Sequence, residues 1–393
     1  MLTESSNTVA RDHTNRYENG SNSYSDKASN TNGIINTHDE LFSHDTTSSL
    51  DSSRSDTMLR SSIFQRIRGM LIGCAYGDAM GMPTEFIPRA RIEECFPEGM
   101  MTFQPSTPYG VYPRSLAAGE ITDDTINTLL IAEMLIAEHG HVDAHSYVDH
   151  LLDWIRRNPE KSDAVSGPST RRALDAIQHG VPFEQSGIGG TTNGSSMKIS
   201  PIGAISTLAD LPTLVSRVEQ ICMPTHNTSI AIAGASAVAA CVAYGIEGGT
   251  HTAELWEVAK RAAHIGARYG YPTPTVDLRA RLEVVRNAVQ GQSAEESLRL
   301  LKDVFGTGVE TAETIPAVLV CVQLADADPT EVTRITAMLG GDTDTIGAIA
   351  SAICGAMRPE VFPDTDVELL ANVNNIDFDR VAEDLAQTRS IVS

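Results

Sequence analysis

The stretch SIAIAGASAVAACVAYG, residues 229–245, limits what this chain can fold into. It carries no charge and is built from Ala, Gly and Ser around a few larger apolar side chains. Alanine favours the helix. Side chains this small let neighbouring helices approach closely, so the segment belongs at the centre of the fold. The Ala-rich part, 229–243, is short and poor in large side chains, and the sequence shows no run of 18 uncharged apolar residues, so no membrane span is expected. Around it the text is nearly continuous helical pattern. Candidate helices cover 203–209, 212–221, 227–245, 251–268, 277–291, 294–302, 311–326, 329–338, 344–358, 365–371 and 378–389. No strand-like alternation and no regular repeat stands out. The expected class is all-α, in one compact domain, with no linker dividing residues 60–393.

The N-terminal part reads differently. Residues 1–58 are rich in Ser, Thr, Asn and Asp and lack apolar periodicity. They cannot bury enough surface to offset the entropy of ordering, so a disordered tail is expected there and a folded domain over 59–393. IFQRIRGMLIGCAYGDAMGMP, from Ile63, has helical spacing and ends at Gly81 and Pro83. Residues 90–118, with Pro105, Pro108 and Pro113, read as an irregular loop. Thr122 is placed to cap a helix running to about Glu138. Helical segments follow at His145–Arg156 and Ser169–His179, with a loop over 159–168 between them.

Charge narrows the partners. The 393 residues carry 29 Lys plus Arg against 51 Asp plus Glu, a net charge of −22. A broad nucleic-acid surface is thereby disfavoured. The six cysteines form no CxxC pair, and most sit among apolar neighbours. With no apolar leader at the N-terminus, a reducing compartment, the cytoplasm, is expected.

The chemistry concentrates in five short stretches. GEITDDTINTLL contains Asp123 and Asp124 at the head of an apolar run. LGGDTDTIGAIASAICGA contains Asp342 and Asp344 in the same setting. One acidic pair at a helix N-terminus is explained by the orphan N–H groups and the helix dipole. Two such pairs beside apolar helices, without Lys or Arg in either stretch, ask for another partner, and a metal suits several carboxylates. Oxygen ligands select hard cations, so the four aspartates and the adjoining threonines fit one Mg²⁺ or Mn²⁺, or two sharing ligands; zinc, lacking Cys or His there, fits poorly. In GDAMGMPTEF, Glu85 falls beyond Pro83 where it can face a cleft, and Asp78 reads as a structural hydrogen-bond acceptor. GGTTNGSSMKISPIG offers backbone and side-chain donors around Asn193, Gly194, Ser195 and Ser196 that can cradle phosphate or sugar, with Lys198 as a counter-charge for an anionic substrate. It has neither the Walker A spacing nor a strand before it. PTHNT places His226 at the head of the small-residue helix, as a ligand-orienting or hydrogen-bonding residue.

In order and character, these stretches resemble the ADP-ribosylglycohydrolase superfamily over residues 62–391. The resemblance implies an all-α fold with two Mg²⁺ or Mn²⁺ ions at the base of a cleft, and hydrolysis at the anomeric carbon of an ADP-ribosyl group on a protein or small molecule. It implies that Thr122, Asp123 and Asp124 hold one side of the metal cluster and Asp342, Asp344 and Thr345 the other. Glu85 matches a loop glutamate beside the metals; Glu85 or Asp124 is the candidate base. Asn193, Gly194 and Ser195 match the loop that holds the diphosphate and ribose, and His226 matches a cleft histidine. The family loop reads Gly-Asn-Gly and then Ala-Met-Arg, where this chain has Thr192-Asn193-Gly194 and Ser196-Met197-Lys198. Lysine in place of arginine removes bidentate phosphate recognition. Phe86, Tyr109, Tyr112 and Phe183 are the candidates for stacking on adenine. Hydrolysis of another N- or O-ribosyl metabolite stays open as an alternative, as does a non-catalytic, crystallin-like or ligand-binding member, which the complete aspartate set disfavours.

Overall fold

The computed structural model describes residues 46–111, 115–159 and 167–392, with side chains from Ser61 onward. The expected tail, 1–58, lies mostly outside the described residues, although helical backbone is assigned from Thr46. One compact unit, Asp51–Ser393, carries all five chemistry-bearing stretches. Among the described residues there is no strand beyond two isolated bridges, Thr192 with Glu310 and Thr228 with Tyr271.

The α-helices are α1 (Thr46–Gly81), α2 (Arg89–Cys95), α3 (Asp123–Ala137), α4 (Ala144–Arg157), α5 (Pro168–Gln178) and α6 (Phe183–Ser186). They continue with α7 (Ser200–Ala204), α8 (Leu211–His226), α9 (Ser229–Ile246), α10 (Thr252–Gly266), α11 (Leu278–Val289) and α12 (Ala294–Leu300). The last are α13 (Thr311–Leu324), α14 (Pro329–Ala337), α15 (Thr343–Met357), α16 (Asp364–Asn374) and α17 (Phe378–Val392). The all-α expectation holds. α9 is wrapped by α7, α8, α10, α13 and α15, and each of its residues from Ile230 to Ile246 is buried. It reaches 18 residues, long and apolar enough to cross a membrane by composition alone, yet 94% of it is buried inside the protein.

Three local expectations change. Arg89–Cys95 is a helix, not loop: Pro88 stands just before its first turn, where a missing N–H and a fixed φ cost nothing. The segment expected at 203–209 straddles a break, with α7 ending at Ala204 and a 3₁₀ turn at Leu208–Asp210. α8 continues through Pro224 to His226, so His226 closes α8 rather than opening α9. Thr228 caps α9 instead, its Oγ1 accepting from the Ala231 N–H at 3.3 Å.

What positions the acidic stretches is the crossing of α1 with α15. Gly69, Gly73, Gly77 and Gly81 recur every four residues on α1, hence on one helix face. A Cβ added to each would lie 2.3 Å from Gly355 O, 2.2 Å from Ser351 O, 2.0 Å from Gly347 O and 2.3 Å from Thr343 O, respectively. Each step of four along α1 is thus matched by a step of four back along α15. The helices run antiparallel with backbone against backbone, a spacing that only residues without side chains permit. This contact brings the end of α1, with Asp78 and the turn toward Glu85, against the start of α15, with Asp342 and Asp344.

Candidate active site

The turn after α1 is built to present Glu85. A 3₁₀ turn at Met82–Thr84 with Pro83 in its first positions ends at Glu85. Phe86 then takes a left-handed φ of 50°, and its N–H donates to Gly341 O at 2.8 Å. Thr84 Oγ1 donates to Ala337 O at 2.7 Å, and Thr343 Oγ1 to Gly81 O at 2.8 Å. The Glu85 loop and the GGDTDT loop are therefore laced together by a backbone bond and a threonine hydroxyl, with Thr84 tied to the end of α14.

Gly340 and Gly341 both hold positive φ, 77° and 84°, where a Cβ is strained. A side chain at Gly341 would also strike Thr307 O at 2.2 Å. The Asp342 N–H donates to the same Thr307 carbonyl at 2.8 Å. This turn aims Asp342 and Asp344 toward Glu85: one carboxylate oxygen from each of the three lies within 4.8 Å of the others. Glu85 is half-buried, whereas Asp342 and Asp344 are buried.

The ITDDT stretch is fixed by Asp78, fully buried on α1. Its carboxylate accepts from the Thr122 N–H at 3.0 Å and Oγ1 at 2.8 Å, and from the Thr125 N–H at 3.1 Å and Oγ1 at 2.6 Å. Asp78 thereby caps α3 from another helix, taking up orphan N–H groups that Thr122's own side chain leaves alone. Its expected structural role is what the hydrogen bonds show. Thr122 Oγ1 also lies 3.1 Å from Asp124 Oδ2. Asp123 is half-buried at the start of α3. Thr345 is buried one residue beyond Asp344, its N–H donating to Asp344 Oδ1 at 3.0 Å.

Electrostatics shows how close the two acidic stretches lie. Burial, and then the charge of Asp344, hold the Asp124 carboxyl well above the usual carboxylate range; Asp78, Asp123 and Asp342 add to it. Burial and the Asp344 charge likewise raise Asp342. Burial raises Asp78 to about 7 against its four hydrogen bonds. Asp124 Oδ1 is buried with no hydrogen-bond partner, a costly condition for a native structure. An orphan carboxylate oxygen amid converging carboxylates and threonine hydroxyls is the donor set of a hard divalent cation. The residues fit such an ion.

The Gly-rich loop joins this cluster from the other side. Asn193 Nδ2 donates to Asp342 Oδ2 and, at 2.9 Å, to Thr314 Oγ1. Its own N–H donates to Val309 O at 2.8 Å. Residues 307–309 thus carry both loops, a role that nothing in their sequence, TGV, announced. Behind the loop stands the His226 ring, with Nε2 3.1 Å from Thr192 Oγ1 and Nδ1 2.9 Å from Thr225 Oγ1. A Cβ at Gly194 would lie 2.9 Å from the ring's Cε1 and Nε2. Burial, helped by Lys198 and Arg172, holds His226 well below its ordinary value, so the ring is neutral. Ser195 Oγ donates to Ala231 O at 3.2 Å, and Ser196 Oγ is buried with no hydrogen-bond partner. Lys198 is only 1% exposed; its ammonium donates to Tyr147 Oη at 2.7 Å and Thr225 Oγ1 at 3.3 Å, with the Tyr147 ring 4.6 Å away. The expected counter-charge is therefore enclosed behind the loop. A cation that solvent reaches beside this loop is Arg172, exposed on α5 and 3.4 Å from Gly189 O.

Of the aromatic candidates, Tyr109 is 51% exposed with Arg91 over its ring. Phe183 packs on His145, and Tyr112 lies outside the described residues.

The sequence pattern of the ADP-ribosylglycohydrolase family matches residues 59–391. The uncharacterized protein YegU of Escherichia coli K12 is 37% identical over 331 residues, which cover 83% of this chain and 97% of that one. The ADP-ribosylhydrolase ARH3 of Xenopus tropicalis is 23% identical over 325 residues, 75% of this chain and 87% of its own. A solved structure titled ADP-ribosylglycohydrolase-related protein complex shares the fold, with a TM-score of 0.62 at 24% identity, over 84% of this chain and 99% of that chain. With the family pattern running the length of the folded unit, the chain belongs to the ADP-ribosylglycohydrolase family and is a glycosidase-type hydrolase of ADP-ribosyl linkages.

Proposed function

We propose that the protein uses Mg²⁺ or Mn²⁺ to hydrolyse the bond between the anomeric carbon of an ADP-ribosyl group and a protein or small-molecule acceptor. The observation that carries this reading is the convergence of Glu85, Asp342 and Asp344 within 4.8 Å, beside the orphan Oδ1 of Asp124. Thr122, Asp123, Asp124, Asp342, Asp344 and Thr345 would hold a pair of ions, which when bound supply the positive charge that seats the ribose hydroxyls and orients water. Asn193 steadies the Asp342 carboxylate through its amide. Glu85, half-buried on its loop, is the carboxylate placed to meet substrate, whereas Asp124 is 1% exposed and faces the cluster. As the water oxygen bonds to the anomeric carbon, the bond to the acceptor breaks and its electron pair leaves with the acceptor. A Glu85 carboxylate oxygen takes the water proton. Positive charge growing on the ribose is stabilised by the surrounding carboxylate oxygens. The backbone of Gly194 lines the loop expected to hold diphosphate and ribose, with Ser195 and Ser196 fully buried beneath it, and Arg172 is positioned to supply the charge that enclosed Lys198 cannot present.

The test is product analysis with ADP-ribosylated arginine, ADP-ribosylated serine, O-acetyl-ADP-ribose and simple nucleosides. Release of free ADP-ribose from at least one of the first three, lost on stringent cation removal and regained with Mg²⁺ or Mn²⁺, is the expected result. Turnover that survives cation removal defeats the metal-dependent mechanism. Cleavage of nucleosides alone moves the substrate to a smaller ribosyl compound.

A further inference from the structure

Ile121 and Thr122 lead into the start of α3, and their N–H groups are taken by two different helices. The Thr122 N–H donates to Asp78 on α1 at 3.0 Å. The Ile121 N–H, one peptide earlier, donates at 3.2 Å to Oδ1 of Asn374, the last residue of α16 and 253 positions further along the chain. Asn374 Nδ2 donates to Gly119 O at 2.8 Å and to Leu370 O, one turn back on its own helix, at 3.0 Å. The amide fits only this way round, because Ile121 offers a hydrogen while Gly119 and Leu370 offer carbonyls. Two of its three bonds therefore go to the loop, and the third anchors the amide to α16. Gly119 holds a φ of 83°, so the amide closes across a turn.

α16 is itself tied to α1, where Tyr76 Oη donates to Asp366 Oδ2 at 2.8 Å. Tyr76 stands two residues before Asp78 on α1, and Asp366 two turns before Asn374 on α16. The bonds close a ring from Asp78 through Thr122, Ile121 and Asn374 to Asp366, Tyr76 and back to α1. Asp78 orients the peptide between Ile121 and Thr122, and Asn374 orients the one before it. Two successive peptide planes held in this way fix φ and ψ of Ile121, the residue from which the chain enters Thr122. We infer that Asn374 is a positioning residue for the cation site, its clasp on Gly119 and Ile121 setting the entry of the chain into Thr122, Asp123 and Asp124. The inference rests on the cation reading proposed above, in which those three residues hold one side of the pair of ions. Partners that orient metal ligands raise affinity for the ion, whereas a clasp that served the fold alone would change stability and leave that affinity where it was.

Mn²⁺ binding to the full chain, read by electron paramagnetic resonance of the free ion, separates the two roles. Wild type is expected to bind Mn²⁺, and Asn374→Ala to bind it about 10-fold or more weakly, the usual cost of losing a residue that orients metal ligands. The Mn²⁺ concentration that half-activates ADP-ribose release should rise by the same factor, with kcat at saturating ion nearly unchanged. Tyr76→Phe keeps the aromatic packing and opens the ring at its far link; a loss of about 2- to 5-fold, the size of one hydrogen bond, is expected there. Leu282→Ala empties a fully buried position on α11; it should destabilise the protein and keep wild-type affinity. Unchanged affinity in a folded Asn374→Ala protein overturns the inference, as does an equal loss in Leu282→Ala. Should Asn374→Ala fail to fold, unchanged affinity in Tyr76→Phe overturns it instead. A wild-type protein that binds no Mn²⁺ defeats the cation reading itself, and with it the site that Asn374 positions.

Discussion

At the carboxylate cluster, burial and mutual repulsion push Asp124 and Asp342 above the usual carboxylate range, and Asp124 Oδ1 has no partner. A loop away, Lys198 and His226 are equally buried, yet each has two hydrogen-bonding partners inside the protein. In sequence both regions look ligand-facing. Buried polarity that is satisfied internally serves the fold or sets a neighbour's orientation; buried charge left unsatisfied marks where something from outside must come. The Asn193 side chain joins the two regions, taking its amide from the loop to Asp342.

The largest break in this comparison comes from neutralising the unsatisfied side. Asp344→Asn is expected to reduce turnover to background while the metal-free protein melts at the same temperature as wild type or higher, because one of several crowded charges has gone. Circular dichroism melts beside activity assays check both halves; an equally large loss of stability would reassign Asp344 to the fold. Glu85→Gln should lower kcat by about 10²–10⁴-fold, the usual contribution of a general base, and leave the cation-induced rise in melting temperature in place.

Next in size is the helix crossing that assembles the cluster. Gly77→Val puts a branched side chain where a Cβ alone meets Gly347 O at 2.0 Å. A destabilisation of about 1–3 kcal/mol or more is expected from such overpacking, with a weaker response to Mg²⁺ because α1 and α15 no longer present their ends in register. Denaturant titration with and without the cation measures both.

The smallest effect is a pH dependence. Asp78 is raised to about 7 from 3.8, with Asp124 and Asp342 raised as well. A carboxyl raised in the folded state stays protonated where the unfolded chain has already released its proton. The stability it preserves is full below the unfolded value and is lost as pH rises through the folded one. Metal-free protein should therefore lose melting temperature between about pH 5 and about pH 8, and the gain on adding Mg²⁺ should be larger at the higher pH. A metal-free melting temperature that rises over this interval would contradict the assigned direction.

Much of the fold was legible because helices announce themselves locally. The helical pattern and the small-residue composition of α9 located that helix to within two residues of its bounds, 229–246 against 227–245. The misses have local causes too. A loop was expected over 90–118 and a helix end at 221, yet Pro88 stands before the first turn of α2 and Pro224 lies in the last turns of α8, where the structure accommodates them. The glycine ladder Gly69, Gly73, Gly77 and Gly81 was visible in the text, and its matching partners on α15 were there to be paired with it. Thr307 and Val309, whose carbonyls carry the site loops, had no signal, because any residue supplies a carbonyl.

The sequence by itself determined the all-α class and the two acidic stretches, since helical period and residue chemistry are properties of short segments. Tertiary structure decided which charges meet. Only the antiparallel contact of α1 with α15 sets Glu85 beside Asp342 and Asp344, and only burial distinguishes Lys198, enclosed and hydrogen-bonded, from the lysine of a ligand-facing loop that its position in the chain suggested. The physical reason is that a charge's role depends on desolvation and on its partners, and both are fixed by neighbours distant in the chain.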